Sequence, residues 1–495
     1  MNGHINGSAN GTTEETIDVA IIGAGISGLN AAYRVQSKLS EYTYKIFEAR
    51  DNIGGTWDLF RYPGIRSDSD FYTFGFEWNT WPKDNPIVPG EDIKEYLQQS
   101  IEKEGIDRHI AFHHRLTALE WSSESMRWTL TLETKDQTRH VQARYVIVGT
   151  GYYDYHEPMN AEISGLGNFQ GTVIHPQFWP EELDYTNKKV AIIGSGATAI
   201  TLVPNMASTA AHTTMIQRSP TYVYPLSNPT RRWFGWFIPS LIRSQLSRLI
   251  FIFLQRFSYA LCRAYPKQAR SILIWRMRSL LGGVLPVDPH FSPKYNPWDQ
   301  RVCFAPNGDF FTALRSGKAD VKTGHIRTVT EKSIILDNGD VVEADIIITA
   351  TGLKISVASG VPIKVDGEKI SIPEKFLWNG SMLQDVPNFA IMIGYTTASW
   401  TLGADATALL FTRIVRYMER RNAVVAVPRL EDPSVLTTRN ITDLNSTYLA
   451  VAQKHMPKTA EEYPWRPRTS YYVDIWQAMF GRIDRGIEYI PASAK

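Results

Sequence analysis

The chain has 495 residues, with 52 Lys and Arg against 50 Asp and Glu and a formal net charge of +2. Hydrophobic residues make up 43% and charged residues 21%, which suits a globular protein of two or three domains and gives no electrostatic argument for nucleic acid. The two cysteines, Cys262 and Cys303, stand in no CxxC spacing, so neither a disulfide framework nor a metal site is expected and the chain reads as cytoplasmic.

Met1 to Thr13 is rich in Asn, Gly and Ser and lacks an apolar run, so residues 1–15 are expected to be a disordered tail rather than a secretory signal. A strand-like run, Ile17 to Ile22, then enters Gly23-Ala24-Gly25-Ile26-Ser27-Gly28. In this GxGxxG the first glycine makes the tight turn and the second lets the backbone approach a diphosphate. The third lets helix pack on strand. Glu48 follows twenty residues after Gly28, at the end of a second strand-like run, where a carboxylate accepts ribose hydroxyls of FAD or NAD. Arg144 to Val148 reads as a buried strand stopping at Gly149-Thr150-Gly151.

A second unit starts at Lys189 to Ile193 and runs into Gly194-Ser195-Gly196-Ala197-Thr198-Ala199. At the end of its next strand, Thr213 to Gln217, there is no acid, and Arg218-Ser219 stands instead. A cation there suits the 2′-phosphate of NADPH. The fold class is therefore α/β, with two doubly wound dinucleotide-binding domains: FAD on residues 16–160 and 345–495, NADP on 161–344.

Residues 231–285 read as a helical insertion in the second domain, with apolar residues at helical spacing between Arg243, Arg248, Arg256 and Arg263. Packing against the second domain is the favoured reading and interfacial membrane attachment the alternative. The most apolar stretch, Leu246 to Leu261, is interrupted by Arg248 and Arg256, against a spanning helix. Asp345 to Thr349 forms another buried strand before Ala350-Thr351-Gly352, and Tyr395 to Thr401 is either a wall of the substrate pocket or a core strand.

Phe169-Gln170-Gly171-Thr172-Val173-Ile174-His175-Pro176-Gln177-Phe178-Trp179 fits the pattern FxGxxxHxxxW. With Gly54-Gly55-Thr56-Trp57, Tyr62-Pro63-Gly64 and Asp68, it resembles the type I Baeyer–Villiger monooxygenases, which are class B flavin monooxygenases. Gly55 to Gly64 and Pro297-Trp298-Asp299-Gln300-Arg301 look most like the ethionamide-activating branch. The resemblance implies FAD and NADPH as cofactors and O2 as co-substrate. One oxygen enters a small ketone, through a C4a-peroxyflavin, to give an ester or lactone, and sulfides are oxidised as well. It also implies that Arg301 is the active-site arginine, that Asp68 positions it, and that Gly55, Thr56, Trp57, Arg66 and Asp68 lie at the flavin. An arginine suits a peroxide anion and a developing alkoxide because it cannot lose its proton.

His175 reads as a residue that orients the linker between domains, not as a proton carrier. Gln300 departs from relatives that carry a lysine there, leaving Arg218 to distinguish NADPH from NADH. An oxygenase working on sulfur or nitrogen is the rival reading. A disulfide reductase would need a redox cysteine pair that Cys262 and Cys303 do not form.

Overall fold

A computed structural model describes residues 15–159, 161–227, 238–442 and 447–492. The expected tail lies outside them except for Glu15, which corrects the boundary. Glu15 opens the first strand, and its carboxylate pairs with Lys45 and Arg139.

The strands that lead into the glycine turns end in continuous buried apolar runs, Val19 to Ile22 and Val190 to Ile193, as strands covered on both faces do. The first sheet has nine strands. It is built on β1 (Glu15–Ile22), β2 (Tyr44–Phe47), β3 (Ile110–Ala111), β4 (Arg115–Ser122), β5 (Arg127–Glu133) and β6 (Thr138–Val148). β1 pairs in parallel with β2 on one side and β6 on the other, while β4, β5 and the front of β6 form an antiparallel excursion.

The second sheet has five strands, all parallel. It contains β7 (Thr172–Ile174), β8 (Lys189–Ile193), β9 (His212–Gln217), β10 (Ala319–Thr323) and β11 (Ile346–Thr349), in the order β10-β9-β8-β11-β7. β11 lies inside this sheet between β8 and β7, so the crossing back to the first comes after Thr349 and not at residue 345, which corrects the expected boundary. The strand's apolar run identifies it as buried, but not which sheet it joins. Beyond it β12 (Ile363–Val365), β13 (Glu368–Lys369) and β14 (Phe389–Ile391) return to the first sheet, β14 lying parallel to the end of β6.

Among the helices are α1 (Ile26–Lys38), α2 (Thr56–Leu59), α3 (Phe71–Phe74), α4 (Gly90–Glu104), α5 (Ala197–Ala207), α6 (Ser240–Ala264), α7 (Pro266–Leu281), α8 (Asp309–Arg315), α9 (Trp400–Arg420) and α10 (Tyr471–Phe480). Helix α1 buries Leu29, Ala32 and Val35 in a core shared with Leu410 and Ile414 of α9. Arg34 Nε lies 2.8 Å from Asp405 Oδ1, and Asn30 donates to the same oxygen at 3.1 Å. This buried pair fastens the returning C-terminal segment to the first glycine-turn helix.

The helical insertion does not pack on the second unit alone. Its first helix, α6, lies against α3 of the first unit, where Arg248 donates to the carbonyls of Tyr72 and Gly75 at 2.8 and 2.9 Å. Its second helix, α7, rests on α8 and on Val223–Leu226. Helical spacing reveals an apolar face but not the body that receives it. Trp233, Phe234, Trp236 and Phe237, at the front of the insertion, lie outside the described residues.

Candidate active site

A cleft of about 1010 Å³ runs between the two sheets, and both glycine turns open into it. In the first turn Gly23 has φ +95°, a conformation that disfavours a side chain. A Cβ on Gly28 would lie 1.9 Å from the Gly23 carbonyl oxygen, so α1 reaches β1 only through a glycine. Glu48 is buried at the end of β2, where its carboxylate accepts the N–H groups of Ala24 at 2.7 Å and Arg50 at 2.9 Å. A carboxylate has about four acceptor positions, so two remain for hydroxyls in the cleft. Ser27 Oγ accepts from the indole N–H of Trp400 at 2.8 Å.

Gly55 comes up against Gly25, at the start of α2. Thr56 and Tyr155 share a hydroxyl hydrogen bond of 3.1 Å, and Trp57 meets Phe74 edge to face with centroids 5.6 Å apart. All four of Gly25, Gly55, Thr56 and Trp57 line the cleft.

The second turn repeats the backbone device. Gly194 has φ +141° and a Cβ there would sit 2.2 Å from the Ala350 carbonyl oxygen. Ala197 and Thr198 open α5, which has no side-chain cap, so its first amides face the cleft without a side-chain acceptor. A Cβ on Gly196 would meet nothing within 4 Å. No neighbour in the protein calls for glycine there, whereas a diphosphate lying against the turn would. Ser195 donates to the Ser219 carbonyl at 3.0 Å, and Arg218 stands exposed at the rim. Uncapped helix amides, a glycine open to the cleft and one acid-ended and one arginine-ended strand together fit two dinucleotides.

Asp68 and Arg301 are brought together from 233 positions apart in sequence, Arg301 Nη1 standing 3.2 Å from Asp68 Oδ2. Both side chains are partly exposed to the cleft. Arg66 is turned to Asp309 at 2.5 Å, an ion pair between the loop before α3 and the first residue of α8. Tyr62, buried with Phe60 in the core of the second unit, has its hydroxyl pushed up to about 12 by burial. The Asn205 side chain of α5 presses on Gly64, where a Cβ would be 2.0 Å from its amide nitrogen. The Tyr62-Pro63-Gly64 stretch is therefore a contact between the units. Burial raises the Cys303 thiol to about 11, so it is no nucleophile at neutral pH.

In the linker, His175 Nδ1 accepts the Gln177 N–H at 3.2 Å, which leaves Nε2 to donate to the Gly352 carbonyl at 3.2 Å. Burial lowers its pKa, so the ring is held neutral between the linker and the strand-to-turn segment of β11. Phe169 packs on Ile193, Ile216 and Ile347. A Cβ on Gly171 would come within 2.4 Å of the Asp345 carbonyl oxygen, and Trp179 lies on the second unit's core.

Two aromatic contributions are not foreseen from the sequence. Tyr152 stacks on Trp400 with centroids 4.5 Å apart, and Tyr155 is half-buried with its hydroxyl on Thr56. The cluster Tyr152-Tyr153-Asp154-Tyr155 directly after the Gly149-Thr150-Gly151 turn was a usable signal, since a strand end in such a fold faces the ligand. Tyr395, Ala398 and Trp400 line the cleft, and residues 395–401 form no strand, so the core-strand alternative falls.

Comparison with known proteins agrees with this geometry. The family model for flavin-binding monooxygenase-like proteins matches residues 16–372. The chain belongs to that family. It is 41% identical over 486 residues to the putative FAD-containing monooxygenase MymA of Mycobacterium tuberculosis, covering 97% of this chain and 98% of that one. It is 40% identical over 473 residues to the FAD-containing monooxygenase EthA of Mycolicibacterium smegmatis, covering 95% and 96%. Among solved structures, an oxidized steroid monooxygenase bound to NADP shares the fold with a TM-score of 0.75 at 21% identity, over 96% of this chain and 100% of that one.

Proposed function

We propose that the chain is an FAD- and NADPH-dependent monooxygenase that inserts one oxygen atom from O2 into small ketones, giving esters or lactones, and also oxidises sulfides. The carrying observation is the Asp68–Arg301 pair, set in the cleft that both glycine turns enter. The FAD-containing relatives support the first cofactor, and the NADP-bound structural neighbour supports the second.

In this reading the amides at the start of α1 hold the FAD diphosphate and Glu48 its ribose, while Trp57 and Arg66 lie along the flavin. The amides of α5 hold the NADPH diphosphate, with Ser195, Arg218 and Ser219 around the 2′-phosphate. When bound, the flavin accepts a hydride from NADPH and activates O2. The chain supplies what that chemistry needs from its surroundings. Arg301 fixes a permanent positive charge where oxygen anions develop, and Asp68 holds the guanidinium in place. Trp57, Tyr152 and Trp400 line the cleft with aromatic surface that keeps water from the reacting atoms.

The test is Arg301→Ala. Reduction of the bound flavin by NADPH should persist, while oxygenated product falls by about a hundredfold or more and hydrogen peroxide appears in its place. Unchanged ester formation would remove Arg301 from the reaction. A screen with paired ketones and thioethers measures the preference between the two acceptors, and oxidation of the thioether alone would replace the ketone reading.

A further inference from the structure

Three helices carry apolar surface that the fold leaves in water. Among the described residues, Phe253 of α6 is 58% exposed, Trp275 of α7 63% and Phe480 of α10 63%. Along α6, Leu249, Phe253, Phe257 and Leu261 recur at every fourth residue and form one outward stripe. The other side of that helix is engaged with the body, where Ser247, Arg248, Phe251 and Ile252 are buried. Helix α10 repeats the arrangement, with Tyr472, Trp476 and Phe480 outward and Ala478 inward. Tyr471, its first residue, packs on the cluster of Ile252, Tyr395 and Leu402, so α10 starts beside α6. Single exposed apolar residues are ordinary on any surface, but aligned stripes on adjoining helices mark a place where something docks.

The charges choose the occupant. From Ser240 to Leu281 the sequence holds eight Lys and Arg and no Asp or Glu. Arg243 and Arg263 reach Asp84 and Asp299, but Arg256, Lys267 and Arg278 are exposed at the surface. The one acid of α10, Asp474, is turned inward to accept the Tyr395 hydroxyl. A second copy of the chain, docked through the same face, would set cations against cations. An anionic lipid surface answers both features at once, since helices that lie in a bilayer interface combine Trp, Phe and Leu on one side with Arg and Lys around them.

We propose that α6, α7 and α10 form a docking face that seats in the headgroup layer of an anionic phospholipid bilayer. The attachment is peripheral, because no described helix is long and apolar enough to cross a membrane. Ile252, on the inner side of α6, shares a buried cluster with Tyr395, which lines the cleft, so the docked helix lies close to the candidate active site. The proposal stands on this surface alone and is independent of the oxygen acceptor.

Full-length, FAD-loaded protein is sedimented with phosphatidylcholine vesicles, with and without phosphatidylglycerol. The wild type should pellet with the anionic vesicles and be released as salt rises from about 0.1 M to about 1 M, where the Debye length shrinks from about 10 Å to about 3 Å. Phe253→Glu with Phe257→Glu, and separately Trp476→Glu, should weaken this binding at least about tenfold while the flavin spectrum and melting temperature stay as in the wild type. Should a glutamate variant fail to fold, Phe253→Ala and Trp476→Gln give the same readout. Arg256→Gln with Arg278→Gln should remove the preference for anionic over neutral vesicles. Absence of wild-type binding, or equal binding by the folded variants, overturns the proposal. So does a lipid-free dimer that the same substitutions split, which would make a second copy the occupant.

Discussion

The two glycine turns are built alike and end differently. Both follow a buried apolar strand, both need a glycine at a positive φ, and both start a helix whose first amides lack a side-chain cap. They part at the next strand, where the first turn meets buried Glu48 and the second meets exposed Arg218. Glu48 is drawn into its own turn by two backbone N–H groups, whereas Arg218 stands at the rim. The shared backbone fits any diphosphate, and in the proposed function the side chain at the strand end selects which dinucleotide completes it.

The largest effect that could break this comparison lies at the third glycine of the first turn. Gly28→Ala sets a methyl group 1.9 Å from a carbonyl oxygen, so the variant should lose about 3 kcal/mol or more of stability and emerge without flavin. A yellow, stably folded protein would show that α1 can shift away from β1. Gly196→Ala is its counterpart: the added methyl meets no protein atom, so the melting temperature should hold while NADPH binding weakens, as followed by the KM for NADPH. Lost stability there would mean that the glycine serves the fold and not a ligand.

Next in size is Arg218→Ala. A charge-assisted hydrogen bond contributes about 1.5–3 kcal/mol, so the KM for NADPH should rise by about tenfold to a hundredfold while that for NADH changes little. Equal changes for both coenzymes would detach Arg218 from the 2′-phosphate.

The smallest expected effect concerns Asp70, which caps α3 by accepting the Thr73 N–H at 2.9 Å. Burial raises its pKa to about 6, from an ordinary 3.8. The folded state therefore holds this proton more tightly than the unfolded one, and the associated stability is present below about pH 4 and lost as pH rises through about 6. Asp70→Asn removes the ionisation, so its melting curve should gain on the wild type by about 1 kcal/mol between about pH 5 and pH 8. A pH-independent difference would mean that Asp70 stays ionised when folded.

Much of this was legible because it is local. An apolar run, a glycine pattern and the residue at the next strand end lie within about 30 residues of one another, and together they define each nucleotide unit. The Asp68–Arg301 pair joins distant segments, so only the resemblance of two separate motifs pointed to it. Where neither locality nor motif helped, the reading stopped short. The run at Ile346 to Thr349 does not say which sheet it joins, and the apolar face of α6 does not say that Arg248 will fasten it to the loop of α3. The stacking of Tyr152 on Trp400 likewise depends on tertiary approach across 248 positions.

The most direct test of the account is a turnover under oxygen-18 gas, with FAD-loaded protein, NADPH and a paired ketone and thioether, and with products read by mass spectrometry. One labelled atom is expected in an ester or lactone and one in a sulfoxide, with neither product when NADPH is withheld. NADPH consumption that yields only hydrogen peroxide, or product oxygen drawn from water, would contradict it.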